Sequence, residues 1–237
     1  MNKTLSRITP RRAMLAAVLA CTLASGCAST QRDELPEVDQ YGLERVQGTR
    51  VEAVYRDPNA DFSQFNRVAI ADVEVAFRKD WLRDQNRDRV SVSRRLTQED
   101  ADRIRAAVAK EFRRIFSDEL QKGGYTVVNL DGFDNASDDL LVLTPAILNL
   151  DVAAPDVQSA GRSRTYTASA GSMTLYLEFH DALSGALLGR VIDSRSAPDR
   201  GYMSISNSVT NLSEVDRMLR RWAQMLVAAM DRAHGKS

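Results

Sequence analysis

Few side chains in this sequence have the type and spacing that reaction chemistry needs, and the first of them is a thiol. Cys27 follows Ala24, Ser25 and Gly26, small residues that suit a peptidase, and these follow the apolar run "AMLAAVLACTL" at 13–23. A thiolate at such a junction is open to alkylation by a diacylglycerol donor, and cleavage between Gly26 and Cys27 then frees its amine for a further acyl group. The two histidines offer less. His234 lies in a terminus expected to fray into solvent. His180 stands beside Glu178 and Asp181 in a hairpin, where it reads as a partly solvated strand residue, with a ligand or general-base role as the sharper alternative. No cysteine pair, H-x-x-x-H or E-x-x-H spacing offers a metal site. No G-x-S-x-G elbow, S-x-x-K or glycine-rich phosphate loop is present. The acidic stretch "DGFDNASDD" at 131–139 departs from calcium-loop spacing and suits a turn that bonds its own backbone. The sequence therefore assigns no catalytic residue, no metal and no cofactor, and it favours a protein that is not an enzyme. A hydrolase or transferase whose groups meet only in space stays open.

The start of the chain reads as an address. Residues 1–12 carry Lys3, Arg7, Arg11 and Arg12, and no acid occurs before residue 27. The apolar run is about 11 residues, short of the ~20 needed to cross a bilayer as a helix. A buried core helix would need a polar face, which the run lacks. A basic head, a short apolar stretch and a small-residue exit make a secretory signal over residues 1–26. The Arg11-Arg12 pair is ordinary for such a head, and no cofactor motif follows that would demand export in the folded state.

"LASGC" at 23–27 resembles the lipobox of bacterial lipoproteins, with Leu23 one residue further out than the leucine usual there. The resemblance implies a covalent lipid at Cys27. Because Ala28 is not Asp, it also implies transfer to the outer membrane, with the domain facing the periplasm. The competing reading is ordinary cleavage near Gly26 or Ala28. Since Cys21 leaves with the signal, that would put an unpaired, exposed thiol in an oxidising compartment. Acylation removes this liability, and several chains at ~0.8 kcal/mol per buried methylene anchor durably where one would not.

The whole chain balances 32 basic against 32 acidic side chains. Without the four basic residues of the leader the balance is 28 to 32, about −4. A mildly acidic domain is a poor partner for nucleic-acid phosphates. One stretch runs against that trend. Residues 78–96 hold Arg78, Lys79, Arg83, Arg87, Arg89, Arg94 and Arg95 against three aspartates. They read either as an interaction surface for anionic headgroups, cell-wall carboxylates or an acidic protein, or as a solvated loop whose own acids partly neutralise it.

The elements that must position these residues follow from periodicity. Residues 27–40 are polar, contain Pro36 and read as a lipidated cysteine plus tether. Residues 41–237 read as one globular domain, with 41–65 lying irregularly against it. "RVAIADVEVAF" at 67–77 reads as a strand whose phase changes at Asp72, predicting a bulge or an end there. Thr97 and Asp100 approximate a capping box. From there Ala101, Ile104, Val108, Phe112, Ile115 and Leu120, with Phe116 alongside, mark one helix face up to Gly123-Gly124. "YTVVNL" at 125–130 reads as a strand parallel to the first. "LLVLTPAILNLDV" at 140–152 reads as antiparallel to it, because nine residues look too few for a crossover. Pro145 predicts an edge position or a bulge. Strands either side of Asp181–Gly185 form a hairpin, with Met173, Leu175, Leu177 and Phe179 in one phase and Thr174, Tyr176, Glu178 and His180 in the other. The segment 154–170 reads as a long surface connection. A last helix runs from about Ser208 or Ser213 to Ala233, with Val215, Leu219, Trp222, Leu226 and Met230 on one face. The fold class is α+β: a single domain with a mixed sheet of about five strands, a crossover helix and a C-terminal helix packed on it.

"VYRDPNADFSQFNRVAIADVEV", "LVLTPAILNLDVAAP" and above all "GSMTLYLEFHDALSGALLGRVIDSR", which ends near Asp193, resemble a family of bacterial lipoproteins known as domain of unknown function 3313. The resemblance spans about Tyr41 to Ala233. It implies an uncharacterised envelope role, carries no catalytic residues over, and leaves an envelope protein or peptidoglycan as the expected partner.

Overall fold

The computed structural model describes residues 35–87, 89, 95–130, 137–152, 165–167, 171–196, 204–206 and 208–236. Expectations placed on Cys27, the signal and Arg94 lie outside these residues. In chain order the elements are β1 (Glu44–Arg45), β2 (Ala53–Arg56), β3 (Arg67–Ile70), β4 (Glu74–Phe77), α1 (Trp81–Asn86), α2 (Gln98–Lys122), β5 (Thr126–Val128), β6 (Leu140–Asp151), β7 (Thr165–Thr167), β8 (Ser172–Asp181), β9 (Leu187–Ser196), β10 (Ser204–Ser206) and α3 (Ser208–Ala233). The main sheet runs β1-β2-β9-β8-β6-β3-β5, with β4 also on β6, and β7 pairs with β10 apart from it. The fold is the expected mixed α+β sheet with a crossover helix and a C-terminal helix. Short strands that no periodicity could announce widen the main sheet to eight.

Alternation divides the sheet into two faces. Met173, Leu175, Leu177 and Phe179 are buried under the helices, together with Leu141, Leu143 and Ile147 of β6. The expected stripe of α2 packs there, with Phe112 and Phe116 stacked 3.9 Å apart. All five expected positions of α3 are buried as well. The capping box starts α2: the Thr97 hydroxyl accepts from the Asp100 N–H at 3.2 Å, and Asp100 accepts from the Thr97 N–H at 2.8 Å. That second bond, with the Arg103 guanidinium beside it, draws the Asp100 carboxyl down to about 2. At the other end Gly124 has φ +85°, and a Cβ on Gly123 would meet Val227 at 2.6 Å, so both glycines are required where α2 passes α3.

Three strand details differ from the simple reading, or sharpen it. The phase change at Asp72 is a break between β3 and β4, which lie end to end along β6. Second, β6 is parallel to β3, and hence to β5, rather than antiparallel to it. β5 is only three residues long and Thr126 lies level with Leu140 through Arg67, so the link 129–139 has little distance to return. Third, Pro145 sits in an interior strand. The Leu143 carbonyl accepts from Ala71 on the β3 side, so alternation puts the N–H that Pro145 lacks on that same side, opposite the 71–73 gap. A broken neighbour replaces the expected edge.

Phe112→Ala empties a fully buried site and should cost about 3–5 kcal/mol, read as a lower urea midpoint at unchanged slope. A midpoint equal to the parent's would contradict the packing described.

Candidate functional site

The other face of the sheet is where polar chemistry gathers. Thr174, Tyr176, Glu178 and His180 of β8 project from it, half-buried, and β9 contributes Arg190 opposite Glu178. Arg190 is only 6% exposed. Its guanidinium donates to Glu178 Oε1 through Nε at 3.1 Å and Nη2 at 2.8 Å, and to Asp39 Oδ2 through Nη1 at 2.7 Å. The rings of Tyr41 and Tyr176 lie 4.8 and 5.2 Å from it. Tyr176 donates its hydroxyl to Glu178 Oε1 at 2.9 Å, and His180 Nε2 lies 3.2 Å from Glu178 Oε2.

Asp39 has a second task. Its Oδ1 accepts the N–H groups of Tyr41 and Leu43 at 2.8 and 3.0 Å, closing the turn that leads into β1. Residues 35–40, expected as the end of the tether, are thereby folded onto the sheet. Val38 bridges Glu44, and the Pro36 carbonyl accepts the Tyr55 hydroxyl at 3.0 Å. Leu43, Ala53 and Tyr55 form a second small core with Leu35, Leu187 and Ile192. Segment 35–46 is thus a strap over the face that no described helix covers.

Burial raises the Tyr176 hydroxyl to about 12, reinforced by the bond it gives to Glu178. For Glu178 burial works upward too, but the hydrogen bonds from Arg190, Tyr176 and His180 outweigh it and hold the carboxyl below its ordinary value. A proton-transfer pair needs a group poised near the working pH. Here the tyrosine is kept protonated and the glutamate ionised, so the arrangement serves as an ion-pair clasp.

β9 carries a second buried charge on the opposite face. Asp193 accepts from the Trp222 indole at 2.7 Å, from Arg195 at 2.5 Å and from the Glu52 N–H at 3.1 Å, joining α3 to the approach to β2. The sequence signalled neither Asp39 nor Arg190 as a site. Counting back from the hairpin turn would pair Glu178 with Gly189; a register shift between Phe179 and His180 brings Arg190 opposite Glu178 instead.

The basic stretch is divided by the fold. Trp81 is buried, stacks 3.8 Å from Phe77 and donates to the Val152 carbonyl at 2.9 Å, so α1 is docked. Arg78 binds Asp84 at 2.7 Å and Asp151 at 2.8 Å. Arg83 lies 3.2 Å from Asp80, and Arg87 lies 3.5 Å from Asp84. Arg89 gives its N–H to the Asn86 carbonyl, while Lys79 and Arg95 are exposed. Asn86 exchanges two hydrogen bonds with Leu96, closing the base of the loop between them. His234 differs from the expected frayed end: its Nδ1 is 2.8 Å from the Met230 carbonyl and its ring leans on Tyr125. A hollow of about 570 Å³ lies along α2 by Ala109 and Arg113, on the helix side of the sheet and away from His180.

Residues 38–226 match the family described as "Protein of unknown function (DUF3313)". The chain belongs to that family. No curated protein matches it in sequence. Among solved structures it is similar to the PelC dodecamer from Paraburkholderia phytofirmans, at 12% identity and TM-score 0.39 over 72% of this chain and 96% of that one. It is also similar to a putative neuraminyllactose-binding hemagglutinin homolog from Helicobacter pylori, at 8% identity and TM-score 0.37 over 76% and 89%. A minor lipoprotein from Acinetobacter baumannii aligns at 10% identity and TM-score 0.31 over 73% and 95%. At these scores nothing about activity or assembly transfers.

The clasp sets a pH dependence. The folded pKa of Glu178 lies below its unfolded value, so its contribution is full above the unfolded value, near 4.3, and is lost as pH falls through the folded one. The stability difference between the parent and Glu178→Gln, measured by urea unfolding, should therefore be present at neutral pH and shrink in acid. A difference independent of pH would contradict the ionised clasp.

Proposed function

We propose that this member of the DUF3313 family is an acyl-anchored lipoprotein of the outer membrane, facing the periplasm, whose domain binds an envelope protein or polymer without catalysing a reaction. The observation that carries the non-catalytic reading is the state of the polar cluster. Arg190 is paired with Glu178 and, through Asp39, holds the strap, while Tyr176 and His180 are bonded to the same glutamate. A reaction centred there would first have to break the contacts that fold the segment 35–46. The anchor reading is supported by the leader and by the thiol at Cys27, which follows three small residues. No helix among the described residues is long and apolar enough to cross a membrane. Attachment in this reading runs through the lipid on Cys27, the one attached group it requires. Partners are then the bilayer and an envelope protein or peptidoglycan, with Lys79 and Arg95 still exposed for an anionic contact.

Expression in a Gram-negative host tests the anchor. The N-terminal peptide from membrane-extracted protein should carry diacylglyceryl and amide-linked acyl mass at Cys27, and Cys27→Ser should move the chain to the soluble fraction. An unmodified thiol in material free of membranes would overturn the proposal.

A further inference from the structure

We propose that the outward side of the strap lies directly against the bilayer that holds the anchor, an inference that rests on acylation of Cys27. The pairing defines that side. Val38 bridges Glu44 in antiparallel sense and the Arg45 N–H bonds the Glu37 carbonyl at 2.8 Å, so the register sets Pro36 opposite Val46. Alternation then places Pro36, Val38, Glu44 and Val46 on one side, and Leu35, Asp39 and Leu43 on the other. The inner side is accounted for: Asp39 meets Arg190, and Leu35 and Leu43 pack in the small core over Ile192. The outer side is not. Val38 is 55% exposed and Val46 39%, two of the five exposed large apolar side chains among the described residues, whereas the Tyr41 ring turns inward over Arg190.

The chain's own geometry says what covers them. Seven residues lie between Cys27 and Leu35, so eight Cα steps give a reach of at most about 29 Å at ~3.6 Å a step. A tether this short gives an effective concentration on the order of millimolar, so a contact too weak to form between free molecules is populated once the lipid is inserted. The chemistry fits a headgroup boundary better than a phosphate site. The outer side offers Val38, Val46 and Pro36 with Glu44 beside them, and it has no lysine or arginine.

The test uses the full acylated chain in vesicles of phosphatidylethanolamine and phosphatidylglycerol with brominated acyl chains. Trp81 and Trp222 are each 2% exposed, so an indole introduced at the surface is read against a shielded background. Val38→Trp and Val46→Trp probe the strap. Leu130→Trp, at a site 42% exposed beyond β5 on the other edge of the sheet, is the control. Expected is a roughly twofold or greater loss of emission for the two strap variants and little for the control, as an interfacial position requires. All three replace exposed side chains, and equal urea midpoints confirm the fold. Protein that floats with vesicles but is quenched equally at both edges, or at neither, overturns the docking and leaves the anchor standing. Protein that does not float removes acylation and this inference with it. Copies that crosslink through Val38→Cys without strap quenching assign the surface to a second copy, which also overturns the proposal.

Discussion

Taking a guanidinium out of water costs several kcal/mol unless its charge and its N–H groups are met. Arg190 is out of water, on a sheet face that no described helix covers. Glu178, directly opposite on β8, answers three of the demands by itself: charge, Nε and Nη2. Asp39 answers Nη1 from 151 residues away. The segment holding Asp39 must therefore come to the sheet, and with it come Leu35 and Leu43, the bridge from Val38 to Glu44 and the turn carrying Tyr41. The strap exists because a buried charge needs a partner that its own hairpin cannot fully supply.

β9 ties the two sides of the molecule together. Arg190 and Asp193 are three residues apart, an odd spacing that sends them to opposite faces of the sheet. One fastens the strap at the start of the domain. The other takes the indole of Trp222, and so fastens α3 at its end. Asp193 also accepts the Glu52 N–H just before β2, so the strand next to the strap is fixed from both faces. Both residues lie within the span 38–226 that matches the family. Replacing either would leave a buried partner unmet.

Much of the frame was legible in the sequence because it rests on local periodicity. The apolar faces of α2 and α3, the two phases of β8, the turn at Asp181–Gly185 and the break near Asp72 all follow from spacing within one element. The strap did not. Residues 35–40 look like tether because they are polar and include Pro36, and their partners are single contacts far along the chain. The direction of β6 does not follow from loop length, because that reasoning assumes full-length strands, whereas β5 has three residues. Pro145 predicts an edge position or a bulge, because its accommodation in an interior strand depends on a gap in the neighbouring strand. In the basic stretch, charge counting could not reveal that Arg78 reaches Asp151, or that Trp81 pins α1 to the core.

A double-mutant cycle on Asp39→Ala and Arg190→Met, measured by urea unfolding, tests the clasp most directly. If the pair holds the strap, each single change strands a buried charge or empties its site. The double variant should then be less destabilised than the two single effects combined, by at least about 1 kcal/mol. Strict additivity would mean that the strap is held by its apolar contacts alone, and that the buried ion pair is not what folds the start of the domain onto the sheet.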